Sequence, residues 1–194
     1  MAPRSVRRHS HALAGTALVL LAAPSALAQE ATRDGGRLGA ALLGGFGSVS
    51  GGRADAASLP LAGVTLRFGG AFTDRFHLLG EFTLAAMPGG DVSGLGSVTA
   101  FHAALGLAGQ VYLGPRFFLR GGVGAGWATA TNGNTWFLPL PGPRFSWALG
   151  YDLWRRGEQS FSLALEGSYT ILFNGASVFD RLFTLGLGVG FDWY

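Results

Sequence analysis

The chain has 194 residues, is 48% hydrophobic and 12% aromatic, and carries 14 basic and 11 acidic residues with no cysteine. Its 13% charged content is about half the ~25% usual for soluble domains, yet its wealth of apolar and aromatic side chains excludes intrinsic disorder. No disulfide can hold it, so stability has to come from packing and pairing alone.

The first residues read as an export signal. Arg4, Arg7 and Arg8 form a basic opening, an apolar run continues from about Ala12 to Ala23, Pro24 breaks it, and Ala26-Leu27-Ala28 supplies a small-x-small cleavage pattern. The apolar run is too short to serve comfortably as a membrane anchor. Residues 1–28 are therefore expected to be removed, 29–36 to form a short N-terminal segment, and 37–194 to form one domain. Three of the 14 arginines leave with the signal and all 11 acids stay, so the remainder is formally neutral. The high isoelectric point is then no footprint of a nucleic-acid partner. Beyond Ala28 no stretch of ~20 apolar residues runs without interruption, which argues against a transmembrane helix.

From Arg37 onward the chain alternates with period two, the mark of strands with two unlike faces. The first strand, around Arg37 to Val49, is the weakest: Leu38, Ala40, Leu42 and Phe46 make its better face, and Leu43 and Gly44 blur the phase. In the second, Val64, Leu66, Phe68 and Phe72 alternate with Thr65, Arg67, Gly69 and Ala71. In the third, Phe76, Leu78, Phe82 and Leu84 alternate with His77, Glu81, Thr83 and Ala85. The fourth sets Phe101, Leu105, Leu107 and Val111 against His102, Gly106, Ala108 and Gln110. The fifth sets Phe117, Leu119, Val123 and Trp127 against Arg120, Gly122, Gly124 and Gly126. The sixth sets Phe145, Trp147, Leu149 and Tyr151 against Ser146, Ala148, Gly150 and Asp152. The seventh sets Phe161, Leu163, Leu165 and Tyr169 against Ser162, Ala164, Glu166 and Ser168. The eighth, Phe183 to Trp193, sets Leu185, Leu187, Val189 and Phe191 against three glycines and Asp192.

Connectors alternate too. Thr73-Asp74-Arg75, Gly114-Pro115-Arg116 and Arg155 to Gln159 have hairpin length. Ser50 to Ser58, Pro88 to Gly96, Ala130 to Pro143 and Phe173 to Asp180 are longer, so all short turns are expected at one end and all long loops at the other. Centring the tight turns on Asp74, Pro115 and Gly157 brings Phe72 opposite Phe76, Leu113 opposite Phe117 and Leu153 opposite Phe161. The same centring brings Arg67 opposite Glu81, Gln110 opposite Arg120 and Asp152 opposite Ser162.

The poorer face decides what surrounds the sheet. Its Gly, Ala, Ser and Thr would be nearly bare backbone in water, where a soluble surface wants long polar side chains. As the lining of a narrow closed barrel they fit, because eight strands leave little room inside. The apolar face then meets lipid, with Phe72, Phe76, Phe117, Phe161, Phe191 and Trp193 towards the short turns. Trp127, Phe145, Trp147 and Tyr169 lie towards the long loops, as two aromatic girdles. The expected fold is an all-β, closed, eight-stranded, antiparallel up-and-down transmembrane barrel.

With its signal peptide, eight alternating strands, alternating turn lengths and aromatic last strand, the chain resembles small eight-stranded outer-membrane barrels of the OmpA/OmpX type. The resemblance is architectural and implies residence in the bacterial outer membrane as a monomer. It implies outer-membrane lipid, lipopolysaccharide and the barrel-insertion machinery as partners. It also implies a C-terminal assembly signal, matched by Gly188, Phe191 and Trp193 and departed from at Tyr194 and at a glycine in the polar position.

Arg67, Glu81, His102, Gln110, Arg120, Asp152 and Glu166 are the candidate lumen residues. Charges in a low-dielectric interior must pair, so Arg67 with Glu81, and Arg120 with Asp152 or Glu166, are expected to plug the lumen. A narrow, porin-like pore is the first alternative. A lipid A-modifying enzyme is the second, disfavoured because no Gly-x-Ser-x-Gly occurs and the histidines lack a nucleophile motif. Ligand spacing for a metal is missing, no nucleotide-binding glycine motif occurs, and no cofactor is expected. Trp136, Phe137, Leu138 and Leu140, in a proline-rich stretch from Asn132 to Pro143, are the candidate partner contact on an external loop. Intact-mass measurement of the exported protein is expected to give a chain starting at Gln29; a mass retaining residues 1–28 contradicts the cleavage assignment.

Overall fold

Strand periodicity repeated eight times, with no helical segment between, leaves backbone pairing as the only way to satisfy the main chain. A computed structural model describes residues 35–51, 54–92, 96–133, 136–173 and 180–194. The signal peptide and all but the end of the 29–36 segment lie outside these. The strands are β1 (Gly36–Gly51), β2 (Ala54–Thr73), β3 (Phe76–Val92), β4 (Gly96–Tyr112), β5 (Phe117–Thr131), β6 (Trp136–Arg156), β7 (Gln159–Ile171) and β8 (Arg181–Trp193). Each pairs antiparallel with the next, and β8 pairs with β1 from Ser50↔Arg181 to Leu38↔Trp193, closing the barrel.

Register obeys the cross-strand pattern with local exceptions. Arg67↔Glu81, Gln110↔Arg120 and Asp152↔Ser162 are all observed. Two hairpins depart next to their turns. The β2–β3 register shifts between Ala71 and Thr73, and the β6–β7 register shifts between Asp152 and Trp154. Thr73 therefore pairs with Phe76, and Trp154 rather than Leu153 pairs with Phe161. The shift shortens each loop to two residues. In the first, Thr73 Oγ1 accepts hydrogen bonds from the amides of Arg75 and Phe76 at 3.3 and 3.0 Å. In the second, Gly157 takes a φ of 55°, which a two-residue turn of this hand requires. Phe72 and Phe76 still meet through their rings, 6.1 Å apart.

Three of the four long connectors, Ser50 to Ser58, Pro88 to Gly96 and Ala130 to Pro143, prove to be mostly strand among the described residues. β2 and β6 run to 20 and 21 residues, about twice the ~9–11 that a tilted strand needs to cross a bilayer. Pro60 pairs with Phe46, Pro141 with Trp127 and Pro143 with Ala125. Proline is ordinarily rare inside a strand, and the proline-rich stretch Asn132 to Pro143 reads as loop from sequence. Trp136, Phe137, Leu138 and Leu140 accordingly belong to the start of β6, not to a loop, and the β5–β6 register shifts beside them between Ala128 and Ala130. Their side chains lie outside the described residues.

The first strand resolves in favour of Leu38, Leu42 and Phe46 outward, with Arg37, Gly39 and Ala41 buried. Inside, adjacent strands approach closely where two glycines face each other, as at Gly45↔Gly186 and Gly106↔Gly124. A Cβ at Gly124 would run into the main chain of Leu105 and Gly106, whereas one at the outward Gly121 meets nothing within 4 Å. Gly124→Val is expected to destabilise the barrel by about 1–3 kcal/mol, read as a lower urea midpoint in detergent micelles, while Gly121→Val leaves the midpoint nearly unchanged.

Candidate functional site

The lumen is built in three layers, because each strand contributes every second side chain to it. Nearest the short turns, β1 and β8 meet across the closing seam. Arg37 Nη2 lies 2.9 Å from Asp192 Oδ2, and Arg37 Nε donates to Asp192 Oδ1 at 3.2 Å. This two-point fit of guanidinium on carboxylate is the strongest geometry available to such a pair. Arg67 adds a longer contact, Nε to Asp192 Oδ1 at 3.8 Å. Gly39 stands opposite Asp192, and a side chain there would collide with its carboxylate. The bare backbone at Gly39 is what lets the carboxylate fold inward.

The last residue caps this layer. The Tyr194 hydroxyl bonds that of Tyr112 at 2.9 Å, and its ring stacks edge-on to His77 at 5.8 Å. The Arg37 guanidinium sits 5.2 Å from the centre of the same ring. Phe118 and Tyr112 pack together beneath it, 5.7 Å apart.

The middle layer turns on Arg120. Its Nε lies 2.8 Å from Glu81 Oε1 and its Nη2 lies 2.9 Å from Glu166 Oε1. Ser146 donates to the other Glu81 oxygen at 3.4 Å. One cation thus bridges two acids from strands on either side of its own. Glycines of β8 form the floor for these long side chains. A Cβ at Gly188 would press on the Glu166 carboxylate, and one at Gly190 on the Arg67 guanidinium. Arg144 and His102 also face this layer, around a cavity of about 20 Å³ bordered by Glu81, Arg120 and Glu166. That is room for about one water.

Towards the long-loop end the lining loses its charges. His102 Nε2 and Thr170 Oγ1 are 3.4 Å apart, and Ser168 and Thr184 hydroxyls 2.8 Å apart. Above them a buried apolar cluster fills the barrel, with Val49, Leu59, Met87, Val98, Leu172 and Leu182 at its centre. It has the composition of a soluble core, and the outer face at this level is mixed, with Ser58, Pro60 and Arg181 exposed.

All seven candidate lumen residues are inward, and all but Glu166 are buried. Their pairing differs in part from expectation. Arg67 and Glu81 are register neighbours, yet Arg67 reaches to Asp192 and Glu81 to Arg120. Long side chains in a narrow tube span it more readily than they double back on an adjacent strand. Arg120 takes Glu166, with Glu81 besides. Gln110 and Asp152 sit lower on the same face, at 0% and 1% exposure. Residues missing from the expected set are Arg37, His77, Arg144 and Asp192. Strand parity alone marks Asp192 as inward, since it continues the row of Gly188 and Gly190. Arg37 was hidden by the weak phase of β1, and Arg144 by its place among prolines. In the expected assembly signal, Gly188 faces the lumen, and Phe191 and Trp193 stack outside with rings 4.4 Å apart. Tyr194 turns in.

No protein-family model matches the chain, and a search of curated proteins returns no match. Among solved structures it is similar to the attachment invasion locus protein Ail of Yersinia pestis. The identity is 14%, covering 81% of this chain and 99% of that one, with a TM-score of 0.56. It is also similar to Neisserial surface protein A, at 12% identity over 81% of this chain and 96% of that one, with a TM-score of 0.57. The shared property is the fold, a small closed barrel of the outer-membrane type.

Arg120→Met leaves Glu81 and Glu166 in the lumen without their shared cation, and is expected to cost about 3–5 kcal/mol of stability. Urea unfolding in lipid vesicles measures it. The triple variant R120M/E81Q/E166Q should recover most of the loss; if it unfolds as easily as R120M, charge pairing is not what the layer supplies.

Proposed function

We propose that the chain is a bacterial outer-membrane protein with a structural or surface-interaction role, its lumen plugged rather than conducting. Inverted polarity carries the proposal. Leu42 and Phe72 are each 70% exposed on the outer wall, while Arg67 and Asp192 are at 1% and 0% inside. Water would attack such a wall, whereas lipid tails match it. Exposed Trp193 and Phe76 near the short turns, and Trp147 and Tyr169 near the long hairpins, suit the two levels where hydrocarbon gives way to headgroups. In this proposal the short turns face the periplasm and the long hairpins the outside.

Two features support a closed lumen. The Arg120 layer leaves space for about one water, and the apolar cluster above it offers a passing ion no polar partner. The same cluster stiffens the hairpins that extend past the bilayer, which favours a surface role over a transport one. Ail, one of the similar structures, is named for attachment and has been solved with the heparin analogue sucrose octasulfate. Enzymatic work is not part of the proposal. His102 is buried at 2% exposure, with its Nε2 lying 3.4 Å from the Thr170 hydroxyl, which leaves it no access to a substrate from outside the barrel.

Membrane fractionation is expected to place the protein in outer membranes, with gel mobility that changes on heating. In planar bilayers it should remain silent. Recovery in the soluble fraction contradicts the membrane assignment, and stable conductance steps contradict the plug.

A further inference from the structure

The outer rim at the short-turn end is basic in a regular way. Arg75 lies in the β2–β3 turn, Arg116 in the β4–β5 turn, and Arg156 at the β6–β7 turn. The turns are two strands apart, so the three side chains are spread around the rim, with the β8–β1 seam filling the fourth position. Arg75 and Arg156 are exposed and Arg116 half-buried. None takes part in the lumen ion pairs that join Arg37 and Arg67 to Asp192 and Arg120 to Glu81 and Glu166. Arg155, next to Arg156, behaves differently: it turns in over the Tyr194 ring at 6.0 Å.

Each of the three borders the apolar wall. Phe72 and Phe76 flank Arg75, Leu113 and Phe117 flank Arg116, and the strand carrying Arg156 presents Trp154 outward at 43% exposure. A cation at the foot of an apolar band sits where lipid phosphates lie. All 14 basic residues of the chain are arginines, and a guanidinium stays charged and grips phosphate oxygens through two parallel bonds. The exposed acids at this rim, Asp74 and Glu158, match the two exposed arginines in number, and the half-buried Arg116 leaves one cation in excess.

We propose, on the premise of the membrane assignment above, that Arg75, Arg116 and Arg156 form a three-point collar that binds the phosphate headgroups of anionic phospholipid in the leaflet at the short-turn end. The collar fixes the depth of the barrel and enriches anionic lipid around it. Tryptophans at the rim, Trp154 and Trp193, make this measurable. The full barrel is reconstituted in phosphatidylcholine vesicles in which either phosphatidylglycerol or phosphatidylcholine carries brominated chains, and tryptophan quenching gives the relative affinity for the two lipids.

The wild type is expected to prefer phosphatidylglycerol, with the preference weakening as salt rises. Removing charge is expected to reduce it about fivefold per arginine, so R75Q/R116Q/R156Q should show little or none. D74N/E158Q should strengthen it. Heat-modifiable mobility verifies that each variant is folded, and the three single variants serve if the triple one is not. Equal quenching by both lipids in the wild type overturns the collar, as does a preference that survives in the triple variant. Binding of the wild type to a soluble acidic glycan without lipid preference overturns it in favour of a periplasmic polymer. A protein that never enters the vesicles fails at the membrane assignment instead.

Discussion

Hydrocarbon offers a backbone no hydrogen bonds, and each amide or carbonyl left unpaired in it costs several kcal/mol. On the proposed membrane placement, that constraint organises this molecule. A sheet with two free edges could not rest in lipid, so the eight strands close, and β1 finds β8 along thirteen residue pairs. Closure at so small a strand number leaves a tube barely wider than the side chains inside it. The need for glycine in the lining has the same source as the closure itself. Where Gly106 faces Gly124, neighbouring strands come near enough that even a methyl group would strike main chain.

Within that tube, charge and glycine are two halves of one arrangement. Arg67 and Glu166 are long, and each lies across a residue with no side chain, Gly190 and Gly188. The acids and bases neutralise one another over strands far apart in sequence. Arg120 ties β5 to β3 and to β7. Arg37 ties β1 to β8 over 155 residues of chain. Contacts of this kind hold the circumference in shape as spokes do, a task the apolar exterior cannot perform, since lipid competes equally well for every leucine on the wall.

Much of this was legible in the residues themselves. Period-two alternation is a strong signal when one face is nearly all large and apolar and the other nearly all small, as from Phe183 to Trp193. It sufficed for strand count, closure and polarity, and the pairings Arg67↔Glu81 and Gln110↔Arg120 came from turn centres. What escaped has physical reasons. Register shifts at Phe72 and Leu153 depend on which two-residue turn the chain prefers, a choice that cross-strand matching does not see. The proline-rich stretch to Pro143 reads as a loop, yet Pro141 and Pro143 are paired in an extended hairpin. Arg144 was lost with that segment. Who pairs with whom inside was the least legible, because side chains that span a tube obey its diameter and not the ladder of neighbouring strands.

The seam between β1 and β8 has a meaning beyond geometry. Its bidentate ion pair joins a residue at the very start of the barrel to one at the very end, with Tyr194 folded over both. Without β8, Arg37 would stand at an open margin deprived of the carboxylate that pairs with it. Zipping the seam therefore joins the margins, discharges them and shuts the lower mouth in a single stroke. A barrel truncated by its last few residues would lose its latch as well as a strand's end, and its two margins would repel lipid where they should meet.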